Sequence, residues 1–449
     1  MDKNTKKNAS IIICGGNKAQ GQVAIPGDKI SAVHLLFASL ISNEETWINN
    51  MHFCDDVMSI IDWAQENDIA KLGQSKSSLR VKPNNADFNM TSISKSRASI
   101  CLVSASALKF GRTEIDSSIG GCCFTDRLID RHIDLIHAFG ISLSKAEGKF
   151  LAIRTKTNNT IDFDCSTKFG PSVGVTAHAL IAALVFKGEL TLRNVALEPV
   201  TEVLIDFLRK TTGRKVTLKN RVIKILSMKK ISHFKAAISL PHDTTVALTY
   251  ISMSIATEGS ICLKGVKLLL PSVNKLLDKM NVKCNTAKEG LCVSVSKIIH
   301  PKLIECTPWP GIPSDVGPIV ISGLCKHKGQ TKLVDRIYNS RSTHVKGLNI
   351  MGYDLTANGQ SIIVNGKYPN SRTVTVAAID IRAGAALLIG ASARLAKTNI
   401  IEAYQLFRGY QNIIEDMKSL NVDIKLGESQ WTQKDTQERI VNGGIRAYL

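Results

Sequence analysis

A glycine-rich loop in the first third of the sequence carries two adjacent thiols close to a cation. The segment IGGCCFTDR places Cys122 and Cys123 directly after Gly120 and Gly121, with Arg127 following Cys122 by a few positions. Glycines let such a loop fold over a substrate as a lid, and a nearby guanidinium lowers the pKa of a thiol. The residue types therefore predict a reactive thiol in a closing loop, and by chemistry alone either cysteine fits.

Two other segments place polar groups where apolar, helix-like runs begin. Asp315, in GIPSDVG, follows a proline turn and is typical of a carboxylate that caps a helix. Helix N-termini are also common sites of substrate contact, so a capping role and a chemical role can coexist. The turn PSVG at Pro171–Gly174 is rich in backbone N–H groups and predicts a phosphate cradle.

The charge balance narrows the class of partner. The net charge is +19, with 57 Lys and Arg against 38 Asp and Glu, and such a field attracts anions. Phosphorylated metabolites, nucleic acid and acidic surfaces all qualify, and general lysine enrichment explains the charge equally well. The basic residues are spread along the chain without a dense arm or tail, which disfavours a nucleic-acid partner.

Cysteine usage and apolar runs indicate the cellular setting. Most of the 11 cysteines lie inside apolar runs and none forms a CxxC pair, which predicts reduced, buried thiols in a cytoplasmic protein without a zinc site. The polar start MDKNTKKNAS is followed by too few apolar residues for a signal peptide. The apolar stretch at Ala177–Phe186 is too short to span a bilayer, so no membrane association is expected.

These candidate residues belong to a repeating pattern with a period of roughly 70 residues. Apolar runs rich in small residues recur as HLLFASLI, ICLVSASAL, HALIAALVF, TYISMSIA, PIVISGL and AALLIGASARL. Each precedes a strand-like segment, namely TWINNM, TEIDSS, LTLRNV, SICLKGV, TKLVDRI and TNIIEAY. Amphipathic helices follow several of these strands, with apolar faces at Val57/Ile60/Ile61/Ala64, Val200/Val203/Leu204/Phe207/Leu208 and Val273/Leu276/Leu277/Met280.

Each repeat thus predicts the order β-α-β-α-β-β, with a first helix that is apolar nearly all round. Such a helix must be buried on every side by neighbouring sheets. Three of these helices bundled inside three sheets would form one domain, and six repeats would form two. A cleft between two like domains is a natural place for a substrate.

The repeat pattern and seven motifs resemble the enolpyruvyl transferases, from about Ile11 to about Lys425. The motifs are GDK at Gly27–Lys29, RASI at Arg97–Ile100, GGC with a following Arg and Asp at Gly120–Asp130, PSVG at Pro171–Gly174, PSD at Pro313–Asp315, DIRA at Asp380–Ala383 and RGY at Arg408–Tyr410. The resemblance is closer to the enzymes that act on UDP-N-acetylglucosamine. The asparagine–glycine–threonine motif of the shikimate enzymes is absent near Arg97, and no arginine follows Ser31.

The resemblance implies that phosphoenolpyruvate is one substrate. It assigns the ligands of this carboxylate and phosphate to Lys29, Arg127 and Arg408, with Arg97 and Arg382 as supporting charges. Arginine suits both groups because its planar fork binds either in a bidentate manner. Taken singly, each of these side chains is equally typical of a solvated surface.

The resemblance also implies the remaining roles. Asp315 is the candidate base for the acceptor hydroxyl, and Asp380 is a second acidic group of the cleft. Cys122, rather than Cys123, is the thiol linked to proton transfer and product release, and the one alkylated by fosfomycin. The implied acceptor contacts, to a uridine and its diphosphate, are Asp130, His132, Ser172, Val173 and Gly174.

The match breaks near the implied acceptor. The asparagine expected after the lysine is Ile30, the proline expected after Arg127 is Leu128, and the glutamate expected before Ser340 is Asn339. Losing a hydrogen bond to a charged intermediate costs about 1.5–3 kcal/mol, or roughly 10- to 150-fold in rate. These departures favour either an altered nucleotide or nucleoside acceptor or a non-catalytic binding paralogue.

The resemblance implies an inside-out α/β barrel in each of two domains, with three repeats per domain. Residues 29–239 would form one domain, with the thiol loop. Residues 1–28 and 240–425 would form the other, with the base and the C-terminal arginine. The polar segment 426–449 lies beyond the match. No metal or organic cofactor is expected, and the oligomeric state is not predicted.

Overall fold

The computed structural model describes residues 9–85, 90, 93, 96–117, 129–228 and 234–428. Its α-helices are α1 Lys29–Ile41, α2 Asp55–Glu66, α3 Val103–Phe110, α4 Asp130–Ala138, α5 Val173–Ala183, α6 Pro199–Thr212, α7 Thr244–Thr257, α8 Pro271–Lys279, α9 Gly317–Leu324, α10 Val345–Ile350, α11 Ile381–Ser392, α12 Tyr404–Phe407 and α13 Ile413–Ser419. Short 3-10 helices at Arg97–Leu102 and Ser314–Val316 lead into α3 and α9.

The strands are short and alternate with the helices. They are β1 Ala9–Cys14, β2 Gln20–Ala24, β3 Thr46–Asn49, β4 Ala70–Gln74, β5 Ser78–Pro83, β6 Arg112–Asp116, β7 Ile141–Ala146, β8 Lys149–Arg154, β9 Thr160–Asp164, β10 Ser166–Thr167, β11 Gly170–Pro171, β12 Glu189–Arg193, β13 Val216–Lys219, β14 Val222–Ile225, β15 Ala236–Ser239, β16 Ser260–Lys264, β17 Val282–Ala287, β18 Gly290–Val295, β19 Leu303–Cys306, β20 Gln330–Asp335, β21 Asp354–Asn358, β22 Ser361–Asn365, β23 Val374–Ala377, β24 Lys397–Ile401 and β25 Asp423–Glu428. The last strand extends past residue 425, where the sequence match ends.

The described strands form open sheets, none of which closes into a barrel. Their orders are β15-β3-β5-β4, β6-β8-β7, β13-β14-β12-β9, β17-β18-β16-β2, β19-β20-β22-β21 and β23-β24-β1-β25, and β10 pairs with β11 as a small hairpin. In the third of these sheets β12 runs parallel to β9 and antiparallel to β14. The chain order there is β9, α5, β12, α6, β13, β14, the predicted β-α-β-α-β-β unit.

The predicted helix faces are confirmed by burial. All the apolar residues assigned to the amphipathic faces of α2, α6 and α8 are buried, from Val57 through Met280. Helix α6 begins at Pro199, whose fixed backbone suits a first turn, and ends before Gly213, which adopts the left-handed conformation. These helices therefore cover the sheets with one face and leave the other to solvent.

The first helix of most repeats is buried nearly all round, as predicted. Helices α7, α9 and α11 pack on one another, and α1, α5 and the Arg97–Leu102 helix do the same. Aspartate or serine side chains cap four of these buried helices, namely Asp28 for α1, Ser172 for α5, Asp243 for α7 and Asp380 for α11. No helix in the described part of the chain is both long enough and apolar enough to cross a membrane.

Two separate hydrophobic cores result. The first core draws its residues from Ala32 to Leu240. The second core draws its residues from Ala9 to Ile25 and from Val246 to Ile424. The fold is thus a two-domain α/β arrangement, and we call the bodies around these cores the first and second domains.

The chain crosses between the domains twice, and at each crossing the strand that precedes a helix pairs in a sheet of the other domain. Strand β2 directly precedes α1 but pairs in parallel with β16, whereas β15 directly precedes α7 but pairs in parallel with β3. The two crossing segments run side by side, because Asp28 N–H donates to the Pro241 carbonyl at 2.7 Å and Asp243 N–H to the Pro26 carbonyl at 2.9 Å. This double connection places the caps of α1 and α7 next to each other.

The prediction of reduced, buried thiols is wrong for one pair of cysteines. Cys262 of β16 and Cys292 of β18 form a disulfide, with their Cα atoms 4.1 Å apart. The two residues stand directly opposite each other in adjacent antiparallel strands. The sequence does not reveal this register, because both cysteines lie in apolar runs that read as core.

Candidate active site

A lysine of the first domain and an arginine of the second meet at one carboxylate. Lys29 is the first residue of α1, Asp56 lies in the first turn of α2, and Arg408 directly follows α12. Lys29 Nζ donates to Asp56 Oδ2 at 2.6 Å, and Arg408 Nε donates to Asp56 Oδ1 at 2.9 Å. Two of the predicted phosphoenolpyruvate ligands therefore converge across the domain boundary.

The two cations of this cluster determine the ionisation of Asp56. Burial alone would raise the pKa of Asp56, but Lys29 and Arg408 together hold it below its usual value. Asp56 is therefore ionised and offsets one of the two positive charges. The cluster keeps a net positive charge, which suits an anionic ligand.

A second cluster surrounds the predicted base. Arg382 donates to Asp315 Oδ2 from Nε at 3.0 Å and from Nη2 at 2.8 Å. Arg341 Nη2 lies 2.6 Å from Asp315 Oδ1, and Arg341 Nη1 donates to Ser314 Oγ at 2.8 Å. Burial would lower the pKa of Arg382, yet Asp315 raises it well above the usual value. Both carboxylate oxygens are therefore held by arginines, Oδ2 by Arg382 and Oδ1 by Arg341.

Asp380 occupies the start of the helix that carries Arg382. Its Oδ1 accepts from the Arg382 N–H at 2.8 Å and the Ala383 N–H at 2.9 Å, and its Oδ2 accepts from Thr343 Oγ1 at 2.5 Å. The side chain is buried, with 3% of its surface exposed. The structure therefore places Asp380 as the cap of α11.

The paired crossing segments bring two further carboxylates beside Lys29. Asp243 Oδ2 accepts from the Lys29 backbone N–H at 3.1 Å, and Asp28 Oδ1 accepts from the Ser31 N–H at 2.7 Å. Burial, reinforced by Asp243, raises the pKa of Asp28 to about 7. His52 lies 3.7 Å from Asp243 Oδ2, and burial lowers its pKa to about 4.

The predicted acceptor residues gather at the start of α5 in the first domain. Ser172 Oγ caps α5 by accepting from the Val175 N–H at 3.3 Å, so Val173 and Gly174 form the first turn. A Cβ atom added to Gly174 would lie 3.2 Å from His132 Nε2, so a larger residue here would have to displace the imidazole by a few tenths of an ångström. Asp130, the first residue of α4, is exposed.

His132 faces the interior from beneath this turn. Its Nδ1 lies 3.1 Å from Nδ1 of His178, and the two rings stack with centroids 5.3 Å apart. Burial lowers the pKa of His132 to about 3, assisted by the positive charge of Arg97. Both imidazoles are therefore neutral, and His132 supports the turn from below.

The structure joins most of the predicted residues into two groups. Lys29, Arg408, Arg382, Asp315 and Asp380 lie around the domain boundary, whereas Arg97, Asp130, His132 and Ser172–Gly174 lie in the first domain around the start of α5. Cys122 and Arg127 lie outside the described residues. The described residues contain no group of His, Cys, Asp and Glu side chains arranged to hold a metal ion.

Sequence reasoning missed the carboxylates that contact these cations. Neither Asp56, which directly precedes the apolar face of α2, nor Arg341 was singled out from the sequence. Asp243 gave a usable signal, because it precedes an apolar run much as Asp315 does. For Asp56 no local signal exists, since its partner Arg408 is 352 positions away.

Comparison with known proteins gives one family match and several relatives of similar length. The model of the family described as EPSP synthase (3-phosphoshikimate 1-carboxyvinyltransferase) matches residues 13–417. The UDP-N-acetylglucosamine 1-carboxyvinyltransferase of Endomicrobium trichonymphae is 28% identical over 425 residues, covering 93% of this chain and 99% of that protein. The protein of the same name from Pelagibacter ubique is 27% identical over 418 residues, covering 92% and 98%.

Solved structures support the fold. The enolpyruvyl transferase NikO from Streptomyces tendae superposes with a TM-score of 0.82 at 20% identity, covering 93% of this chain and 99% of that one. An EPSP synthase from Acinetobacter baumannii gives a TM-score of 0.70 at 17% identity, covering 93% and 100%. At these identities the likeness establishes the two-domain α/β fold alone.

Proposed function

The chain belongs to the EPSP synthase family and is an enolpyruvyl (1-carboxyvinyl) transferase, and from that premise we propose its substrates. It transfers the enolpyruvyl group of phosphoenolpyruvate to a hydroxyl of UDP-N-acetylglucosamine, or of a related nucleotide sugar, and releases phosphate. The observation that carries this proposal is the meeting of Lys29 and Arg408 across the domain boundary. The names of the full-length relatives support the acceptor.

The reaction joins the acceptor oxygen to C2 of phosphoenolpyruvate while C3 gains a proton. The tetrahedral intermediate then loses phosphate from C2 and a proton from C3, which restores the double bond. Lys29, Arg127 and Arg408 bind the carboxylate and phosphate, because fixed cations stabilise charge that shifts onto the leaving group. Arg97 and Arg382 add supporting charge.

Asp315 removes the proton from the acceptor hydroxyl. Its side chain is held by Arg341 and Arg382 and is 37% exposed, so an acceptor hydroxyl can approach it. Cys122 assists proton transfer at C3 and product release. Asp380 contributes by fixing the first turn of α11, from which Arg382 reaches Asp315.

The acceptor lies along Asp130, His132 and the turn Ser172–Gly174. The turn offers backbone N–H groups to the diphosphate at the N-terminus of α5. The neutral His132 holds the turn in place from below. The residues that bind the acceptor's diphosphate thus lie in the first domain and the base lies in the second, so closure of the domains completes the site.

We also propose the domain bounds and the cellular setting. Residues 29–239 form the first domain, residues 1–28 with 240–425 form the second, and each is an inside-out barrel of three repeats. The buried bundle of α7, α9 and α11 inside the sheets of the second domain supports this description. The enzyme acts in the cytoplasm, in peptidoglycan biosynthesis, without a metal or organic cofactor.

A different nucleotide or nucleoside acceptor is the second candidate, and two observations favour it. Ile30 stands beside Lys29 with 41% of its surface exposed, where it offers no hydrogen bond to a substrate. Asn339 accepts from Gln360 Nε2 at 2.9 Å on the exposed side of the second domain. At both positions the residue differs from the one expected in the UDP-N-acetylglucosamine enzymes, which the chain resembles elsewhere.

Phosphate release from phosphoenolpyruvate with a panel of hydroxyl acceptors tests these candidates. UDP-N-acetylglucosamine should give the highest kcat/KM, and the variant Arg408→Ala should abolish release. Higher release with a nucleotide or nucleoside, together with a gain toward UDP-N-acetylglucosamine in the double variant Ile30→Asn/Asn339→Glu, would establish the second candidate. No release with any acceptor would leave a binding paralogue.

A further inference from the structure

The carboxylate of Asp56 has no role in the proposed transfer, yet it occupies the centre of the predicted anion site. We propose that Asp56 is a positioning residue that assembles this site: it draws Lys29 of the first domain and Arg408 of the second to one point before phosphoenolpyruvate arrives. This inference rests on the proposed function for the identity of the ligand. The assembly of the two cations rests on the contacts alone.

The contacts of Asp56 are divided between the domains. Oδ2 accepts from Lys29 at 2.6 Å and, at 3.5 Å, from Arg408 Nη2, while Oδ1 accepts from Arg408 Nε at 2.9 Å, so both cations contact the carboxylate at once. Arg408 is fixed further by Nη1, which donates to Gln405 Oε1 at 2.9 Å. The ion pair therefore holds the guanidinium in a defined orientation, with its plane set by two separate acceptors.

A second hydrogen bond ties the same two segments together. The Phe53 backbone N–H, which lies just before α2, donates to Gln411 Oε1 at 2.9 Å. Phe53 and Asp56 of the first domain thus meet Gln411 and Arg408 of the second, in opposite chain directions. The pair forms a small, ordered contact between the domains, and Asp56 supplies its charged half.

Partial burial makes this contact strong and leaves the cations accessible to a ligand. The side chains of Lys29, Asp56 and Arg408 are 10%, 23% and 22% exposed. Water screens such a group less than it screens a surface pair, so the attraction is effective at this distance. An ammonium has three N–H donors and a guanidinium five, so each cation can contact Asp56 and an oxygen of phosphoenolpyruvate at the same time.

The positioning role predicts opposite effects on turnover and on affinity. Asp56→Asn keeps the size of the side chain and removes its charge. Lys29 and Arg408 then lose their common anchor, so kcat should fall by roughly tenfold or more as the reacting groups lose alignment. The KM for phosphoenolpyruvate should stay level or fall, because the site gains net positive charge.

The test compares Asp56→Asn and Asp56→Glu with Glu66→Gln, which removes a charge from an exposed position of the same helix. Small-angle scattering without substrates should show a larger radius of gyration for Asp56→Asn only. Kinetics should show the fall in kcat for Asp56→Asn and partial recovery for Asp56→Glu, which keeps the charge.

An unchanged radius of gyration in Asp56→Asn would overturn the proposal, and so would a kcat within twofold of the wild type. A rise in KM equal to the fall in kcat would do the same, because it would mark Asp56 as ordinary binding structure. A larger radius of gyration in Asp56→Asn, combined with no turnover in the wild type, would support the assembly of the cations. That combination would reject only the proposed function.

Discussion

Arg382 donates two hydrogen bonds to a single oxygen of Asp315, at 3.0 and 2.8 Å, and so joins the starts of two buried helices. Asp315 lies in the short 3-10 helix before α9, and Arg382 lies in the first turn of α11. Arg341 lies 2.6 Å from the other oxygen, so the two arginines together fix the orientation of the carboxylate. A base held in this way is oriented before the acceptor hydroxyl binds.

Replacing this base should lower turnover strongly and leave the binding of phosphoenolpyruvate intact. We expect Asp315→Asn to lower kcat by roughly 100-fold or more, because general base catalysis contributes about that much. The KM for phosphoenolpyruvate should change little, since Lys29 and Arg408 belong to a separate cluster around Asp56. Glu305→Gln, at a part-exposed carboxylate paired with Arg336 in the same domain, is the matched control. A kcat for Asp315→Asn within tenfold of the wild type would exclude Asp315 as the base.

Asp28 should make the protein less stable as pH rises. Its pKa is about 7 when folded, because burial and Asp243 raise it, and about 3.9 when unfolded. The folded state therefore binds more protons between these values, and stability falls as pH rises through this window. Asp28→Asn removes this cost and should increase the free energy of unfolding at pH 8 by about 1–2 kcal/mol.

Urea unfolding at pH 8 and pH 4 measures this effect. The gain in Asp28→Asn should be clearly smaller at pH 4, where the carboxyl is largely protonated when folded. The control is Asp278→Asn, at an exposed position of α8. An equal gain at both pH values would show that Asp28 does not titrate as described.

The stacked histidines should have the opposite effect at low pH. Burial lowers the pKa of His132 to about 3 and that of His178 well below its usual value. The unfolded chain protonates both near pH 6.5, so stability is present above that value and is lost as pH falls below it. Between pH 6.5 and 5 the loss should be about 2 kcal/mol for each histidine.

Replacing one of the two histidines should weaken the dependence of stability on pH. His178→Asn should unfold more easily at pH 7 but lose less stability between pH 6.5 and 5 than the wild type. His137→Asn, at an exposed position of α4, should leave the slope unchanged. If His178→Asn kept the full slope, the buried pair would not be the source of the acid sensitivity.

The Cys262–Cys292 disulfide should stabilise the second domain. It joins residues 30 positions apart, and closing such a loop in the unfolded chain is worth about 3–4 kcal/mol. Cys292→Ser should lower the melting temperature under oxidising conditions and remove its dependence on reductant. Cys14→Ser, at an exposed free thiol, should do neither. A wild-type melting temperature that does not respond to reductant would contradict the bond.

The sequence predicts the repeats because helix and strand periodicity are local. The faces of α2, α6 and α8 and the small-residue helices follow from neighbours within a few positions. The cap expected at Asp315 is wrong, because its side chain caps neither the 3-10 helix nor α9 and pairs with Arg341 and Arg382 instead. The exchange of β2 and β15 between domains does not follow from near neighbours, since both strands precede their helices as an ordinary repeat would require. Pairing in space, rather than order in the chain, decides which sheet they join.

The candidate site divides along the same line. Lys29, Arg382 and Arg408 lie in motifs and were predicted, whereas Asp56 and Arg341 were not. Asp380 was expected as an acid of the cleft, and both of its oxygens are engaged by the start of α11 and by Thr343. A motif indicates which residue stands at a position, but its partners depend on contacts across hundreds of residues.

Carbon-labelled phosphoenolpyruvate tests the central claim most directly. The protein is incubated with phosphoenolpyruvate labelled at all three carbons and with UDP-N-acetylglucosamine, and the products are examined by carbon and phosphorus magnetic resonance. We expect a labelled vinyl ether on the acceptor and free phosphate in equal amounts, both absent with Asp315→Asn. Label found only in phosphoenolpyruvate or pyruvate, with none attached to UDP-N-acetylglucosamine or to any other hydroxyl acceptor, would contradict enolpyruvyl transfer by this protein.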